Sequence, residues 1–100
     1  MSTEDFGFAP PPFKPEDALA GLARSLHELG LVERAGRFER RGTPIARAVL
    51  DGVVLRAARV KRPSRTSPEW QERRLRSSAD VRDFVVDLKK QLAQWSDSDD

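Results

Sequence analysis

TPIARAVLDGVVLRAARV, residues 43–60, is the stretch on which the fold turns. Its halves, Ile45 to Leu50 and Val53 to Val60, are rich in β-branched residues and flank Asp51-Gly52, the dipeptide that a two-residue type I′ hairpin prefers. In that register Leu50 faces Val53, Ala48 faces Leu55 and Ala46 faces Ala57, while the other face pairs Val49 with Val54 and Arg47 with Arg56. Two guanidinium groups tolerate each other across a sheet only where water screens them. The face of Leu50, Ala48, Val53 and Leu55 is therefore expected beneath a covering layer, where the small alanines admit a helix closely. The face of Arg47 and Arg56 is expected to stay open, with Ile45, Val49 and Val54 sharing it.

The same residues admit a second reading. Thr43-Pro44 is a good helix start and Gly52 a good stop, so residues 43–50 also fit a short helix before one strand. Combined with LGLVERAGRFERRG, residues 29–42, that arrangement would resemble the wing region of a winged-helix DNA-binding domain. The hairpin is preferred because the Asp-Gly turn and the alternating run after it agree. Outward from it, Arg37 to Arg41 reads as an earlier strand whose strong core candidate is Phe38. Glu69 to Arg76 reads as a later strand, with Leu75 inward and Trp70 on the other parity.

Helices are expected on both sides of these strands. Pro15 suits a first helical position, Glu16 and Asp17 favour the positive end of the macrodipole, and Leu19, Leu22, Leu26 and Leu29 draw one apolar stripe. Gly30 is placed to end that helix in the left-handed conformation, with Leu31 folding back on the last turn, so the helix spans 15–29. Ser77 with Asp80 forms a capping box, or Ser78 caps alone, and Val81, Phe84, Val85, Leu88, Leu92 and Trp95 mark one face of a second helix. The expected fold is α+β: a two-layer helix–strands–helix domain over 15–95, its antiparallel meander three- or four-stranded and both helices packed on one face. Residues 1–14, with three phenylalanines and Pro10-Pro11-Pro12, are expected to be an extended or disordered tail, one use of which is to dock on a partner. Residues 96–100, SDSDD, are expected to be an acidic disordered tail.

Hydrophobic residues are 38% of 100, which supplies one modest core. There is no cysteine, so disulfides and thiolate metal sites are excluded. No apolar run approaches a signal or spanning segment, and a soluble cytoplasmic protein with no membrane role is expected. The net charge of +2 conceals a strong pattern. Two bases and six acids give residues 1–33 a charge of −4, fourteen bases and five acids give 34–82 a charge of +9, and two bases and five acids give 83–100 a charge of −3. A basic centre between acidic flanks suits a polyanion surface guarded by its own ends, and it equally suits an arginine-rich but ordinary solvated sheet.

Catalytic groups are scarce. Tyrosine and cysteine are lacking, and the single histidine, His27, stands beside the leucine stripe, where a half-buried packing role is expected. Asp80, Asp83 and Asp87 recur along one helix, whose convex face does not converge carboxylates on a cation. Gly36 and Gly42 are not followed by the Gly-Lys-Ser/Thr of a phosphate loop. An enzyme is not expected, nor a cofactor, a metal or a small-molecule substrate.

The strip ARVKRPSRTSPEWQERRLR, residues 58–76, carries the functional expectation. Phosphate binding needs bases spaced along a backbone, and single-strand recognition also needs an aromatic for stacking. The candidate nucleic-acid contacts are Arg47, Arg56, Arg59, Lys61, Arg62, Arg65 and Arg73, with Trp70 as the stacking residue. The expected function is a small binding domain that contacts RNA or DNA through an arginine-rich sheet face and this strip. The alternative is a protein-interaction module that seats a partner helix or a second copy of the chain.

The order helix, three strands, helix resembles the double-stranded RNA-binding domain. That family places a lysine pair at the start of its second helix to hold phosphates. SSADVRDFVVDLKK, residues 77–90, has Asp80 and Asp83 there instead, and Lys89-Lys90 come three turns later. The segments FERRGTPIARAVLDG and SADVRDFVVDLKKQLAQW also resemble those of small bacterial proteins with no assigned activity, a likeness that implies no site.

Overall fold

The computed structural model describes residues 13–97. The chain forms α1 (Pro15–Glu28), β1 (Val32–Arg34), β2 (Arg37–Arg40), β3 (Thr43–Asp51), β4 (Val54–Val60), β5 (Trp70–Leu75) and α2 (Ser78–Asp97). The strands make one antiparallel sheet in chain order, so the protein is α+β, as its sequence leads one to expect. The expected tail conformations fall mostly on residues 1–12 and 98–100, which lie outside the described residues. Phe13, on the described side of that boundary, is half-buried against the core.

The sheet has five strands rather than three or four. The added one is β1, paired Val32↔Glu39 and Arg34↔Arg37. Its three side chains are all exposed, so no alternation of burial marks it in the sequence. The turn that makes it possible is Ala35-Gly36, with φ of 53° and 79°, and the next turn, Arg41-Gly42, repeats the pattern at 54° and 82°. Positive φ at both central residues is the type I′ geometry, whose twist matches that of the flanking strands.

Residues 43–50 are strand, not a short helix. The β3–β4 register, however, is displaced two residues from the Asp51-Gly52 turn: Asp51 pairs with Val54, Leu50 with Leu55, Ala48 with Ala57 and Arg47 with Ala58. The turn is Gly52-Val53, with positive φ at Gly52, the first central position, as a type II′ turn demands. Glycine takes that positive φ without strain, and the turn so formed sets the register. The displaced register separates Arg47 from Arg56, sets Arg56 opposite Val49, and brings Arg56 Nη2 within 3.2 Å of Asp51 Oδ2. A shift of two keeps the parity of every side chain. Leu55, Ala57 and Ala46 accordingly lie in the core, but Val53, at 80% exposure, and Leu50 stand on the hairpin tip beyond the helices.

Ile45 corrects a further expectation. Phe38 pairs with Ala46 and Glu39 with Pro44, so Ile45 is the extra residue of a bulge, and it is fully buried instead of lying on the open face.

Leu22 and Leu26 of α1, Leu31, Phe38, Leu55, Leu75, and Phe84, Leu88 and Leu92 of α2 close the core. The last turn of α1 and the first turn of α2 are capped locally. Gly30, at φ 90°, donates its N–H to His27 O at 2.9 Å, and Leu31 donates to Leu26 O at 3.1 Å, the paired bonds of a Schellman motif that buries Leu31. Ser77 Oγ accepts from Asp80 N at 3.1 Å, while the Asp80 carboxylate accepts from Arg76 N at 2.9 Å. The expected capping box is thus present, with the return bond reaching one residue further back.

Both helices cover the face that carries Leu55, Ala57 and Leu75. Arg59 on that face bonds Asp87 of α2, and Arg73 lies 5.9 Å from the Phe84 ring centroid. Among the described residues, no helix lies on the opposite face.

Candidate nucleic-acid interface

Register alone aligns the arginines of the helix-free face. Arg34 pairs with Arg37 and Arg37 with Arg47, which makes one row across β1, β2 and β3; Ala58 and Glu72 continue it on β4 and β5. The adjacent row is Val49, Arg56 and Arg74. Five arginines therefore share this face with the carboxylates Glu39, Asp51 and Glu72, and with exposed Val32 and Val49.

The carboxylates sit between the guanidinium groups. Glu39, 8% exposed, lies 3.8 Å from Arg34 Nε and 4.0 Å from Arg37 Nη2. Arg47 Nη2 is 3.5 Å from Glu72, and its guanidinium carbon lies 4.5 Å from the Trp70 ring centroid. Ala58, between Arg47 and Glu72 in the register, is 2% exposed yet outside the core cluster, so the layer of side chains above it covers it. Arg56 pairs with Asp51. Apart from Glu39, the side chains in these pairs keep 39% to 76% of their surface in water, where such contacts contribute about 0–1 kcal/mol each.

The eight expected contacts do not form one surface. Arg47, Arg56 and Trp70 share the helix-free face, with Arg47 already stacked on the indole. Lys61, Arg62 and Arg65 lie in the 61–69 connection at one end of the sheet, where Arg65 Nε donates to Thr43 Oγ1 at 3.3 Å. Arg59 and Arg73 are on the helix side. Arg59, with a side chain only 15% exposed, donates from Nε to Asp87 Oδ2 at 2.7 Å and from Nη1 to Val60 O at 3.1 Å, and so clamps β4 to α2. Arg34, Arg37 and Arg74 belong to the open face and were not among the expected contacts. The signal for the first two was available: they bracket Ala35-Gly36 and face each other once that dipeptide is taken as a hairpin turn.

The groups considered for chemistry are engaged otherwise. His27 is exposed rather than half-buried and meets the edge of Phe38 at a centroid distance of 6.2 Å. Asp80 caps α2 and Asp87 holds Arg59. Among the described residues no group of three His, Asp or Glu side chains is placed to hold a metal, and no helix is long and apolar enough to cross a membrane. No protein-family model, curated protein or solved structure matches the chain.

Proposed function

We propose that the chain is a small non-enzymatic binding domain that contacts RNA or DNA through the helix-free face of its sheet. The observation that carries this reading is the placement of Arg34, Arg37, Arg47, Arg56 and Arg74 on one face, which no helix of the described residues covers, against three carboxylates. A surface guanidinium held by a weak exposed pair exchanges its carboxylate for a phosphate at little cost, and the phosphate returns a charge-assisted, often bidentate contact. Trp70 takes part with Arg47 on its ring, so an incoming base competes with that stacking.

The test is a titration of fluorescein-labelled short single strands and duplexes at about 50 mM salt. Saturable binding that falls about tenfold or more in an Arg47→Gln/Arg74→Gln double variant supports the reading; absence of binding by the wild-type protein overturns it. A second reading has its own observation: Val49, Leu50 and Val53 are 49%, 47% and 80% exposed together at the β3–β4 tip, a place for a protein partner or a second copy. A sedimentation-determined dimer that Val53→Ser dissociates supports that reading.

A further inference from the structure

The strand registers fix where each charged group of the helix-free face stands, and the positions form a pattern. Arg34 on β1, Arg37 on β2 and Arg47 on β3 make one row across the sheet. Glu72 ends that row on β5, while Arg56 on β4 and Arg74 on β5 stand in the next row, two residues along the strands. Neighbouring strands lie about 4.8 Å apart and a two-residue step is about 7 Å, so the five arginines trace one diagonal stripe about 20 Å long and a single side chain wide. Carboxylates border it on both sides. Glu39 stands two residues from Arg37 and Glu72 two residues from Arg74, both on one side of the stripe; Asp51 stands on the other, one step beyond the row of Val49 and Arg56. Each reaches a stripe arginine: Glu39 lies 3.8 Å from Arg34, Glu72 3.5 Å from Arg47 and Asp51 3.2 Å from Arg56. The face therefore carries a narrow positive track with negative margins about 7 Å away.

We propose, on the reading of this face as the nucleic-acid surface, that it selects a single strand over a duplex, with the sugar–phosphate backbone laid diagonally from Arg34 to Arg74. A single strand has one row of phosphates, which follows the arginines and clears the carboxylates. A duplex has two rows, about 6 Å apart across the minor groove and about 12 Å across the major groove. With one row on the stripe, the other meets Asp51 on one side or Glu39 and Glu72 on the other, and like-charge contacts suppress such binding. Nor does the face enter a groove: the major groove admits a helix or a two-stranded ribbon in about 12 Å, whereas five strands span about 19 Å. The unstacked bases of a single strand also find surfaces here that a duplex cannot use. Trp70 borders the stripe on β5 with the Arg47 guanidinium 4.5 Å from its ring centroid, and exposed Val32 and Val49 stand beside the stripe on β1 and β3. A stacked strand rises about 3.4 Å per nucleotide, so the stripe takes up to about six nucleotides.

The experiment is a fluorescence-anisotropy titration of labelled oligothymidylate, oligouridylate and blunt duplexes of both backbones, each about sixteen units long, at about 50 mM salt. The tighter strand is expected to exceed its own duplex at least about tenfold, and its identity separates ribose from deoxyribose as the source. For a strand of about eight nucleotides, Arg34→Gln and Arg74→Gln each weaken binding about threefold and together about tenfold, because one backbone reaches both ends of the stripe. Loss confined to one of the two overturns the diagonal path. The Asp51→Asn/Glu72→Gln double variant reduces the ratio of strand to duplex affinity at least about threefold, and an unchanged ratio overturns the part given to the negative margins. Circular dichroism checks the folding of each variant. Absence of binding by every probe removes the nucleic-acid reading itself. A duplex bound as tightly as the strand, with both weakened in Arg47→Gln/Arg74→Gln, retains that reading and overturns the selection, so the two failures are read separately.

Discussion

Arg59 and Arg47 lie on the two neighbouring strands of one hairpin, yet their environments differ completely. Arg59 has its guanidinium between β4 and α2, bonded to Asp87 at 2.7 Å with little water to screen it. Removing either partner leaves a poorly solvated charge, so Arg59→Met and Asp87→Ala are each expected to cost about 2 kcal/mol, and the double variant less than their sum. Urea denaturation of the four proteins of the cycle measures the coupling; additive losses would show that the pair contributes nothing. Arg47 faces water, and Glu72 is its competitor for any phosphate. Glu72→Gln is expected to raise affinity for single strands about two- to fivefold, since an exposed pair of this kind contributes about 0.2–1 kcal/mol. The oligonucleotide titration checks this, and unchanged affinity would place the strand away from Arg47.

At the scale of the elements, two tight turns and a cap decide what the strands and helices do. Ala35 occupies left-handed backbone at φ 53°, where an L side chain with a Cβ is strained and asparagine is better suited. Ala35→Asn is expected to stabilise the fold by about 0.5–1 kcal/mol. Gly36→Ala, at φ 79° with open space around the new Cβ, is expected to cost about 1 kcal/mol from backbone strain alone. In a domain of this size these appear as opposite shifts of about 4–8 °C in Tm per kcal/mol, read by thermal melting. These turns also account for what was hard to read. The Asp51-Gly52 dipeptide drew attention because of its composition, whereas Ala35-Gly36 and Arg41-Gly42 have no Asn or Asp and formed type I′ turns all the same. The strands around them carry arginine and glutamate on the solvent side, so alternation is faint.

The whole molecule divides its positive charge among three places: the helix-free face, the helix side and the end of the sheet. A single strand that engages the five arginines of the open face should bind with a slope of about −3.5 in log K against log salt, and Arg74→Gln should reduce its magnitude by about 0.7. Titrations between about 50 and 200 mM salt test both numbers. Arg59→Gln belongs to a different class: it should lower stability without changing the salt slope of the protein that remains folded. That contrast follows from tertiary position alone, because both residues lie in the same basic stretch of sequence.

What the amino-acid sequence determined by itself is local. It set the two helices with their Schellman and serine caps, the parity of β3 and β4, and the α+β layering, because capping, backbone preference and two-residue periodicity are properties of neighbouring residues. Tertiary structure decided the rest. The two-residue register displacement came with a Gly52-Val53 turn in place of Asp51-Gly52; the bulge at Ile45 carried into the core a side chain that simple alternation would have left outside; and five arginines came to one face through the registers between successive strands. Which of fourteen central bases meets water, which meets a carboxylate and which lines a recess depends on those registers and on the packing of the helices, and a charge count along the chain carries no record of them.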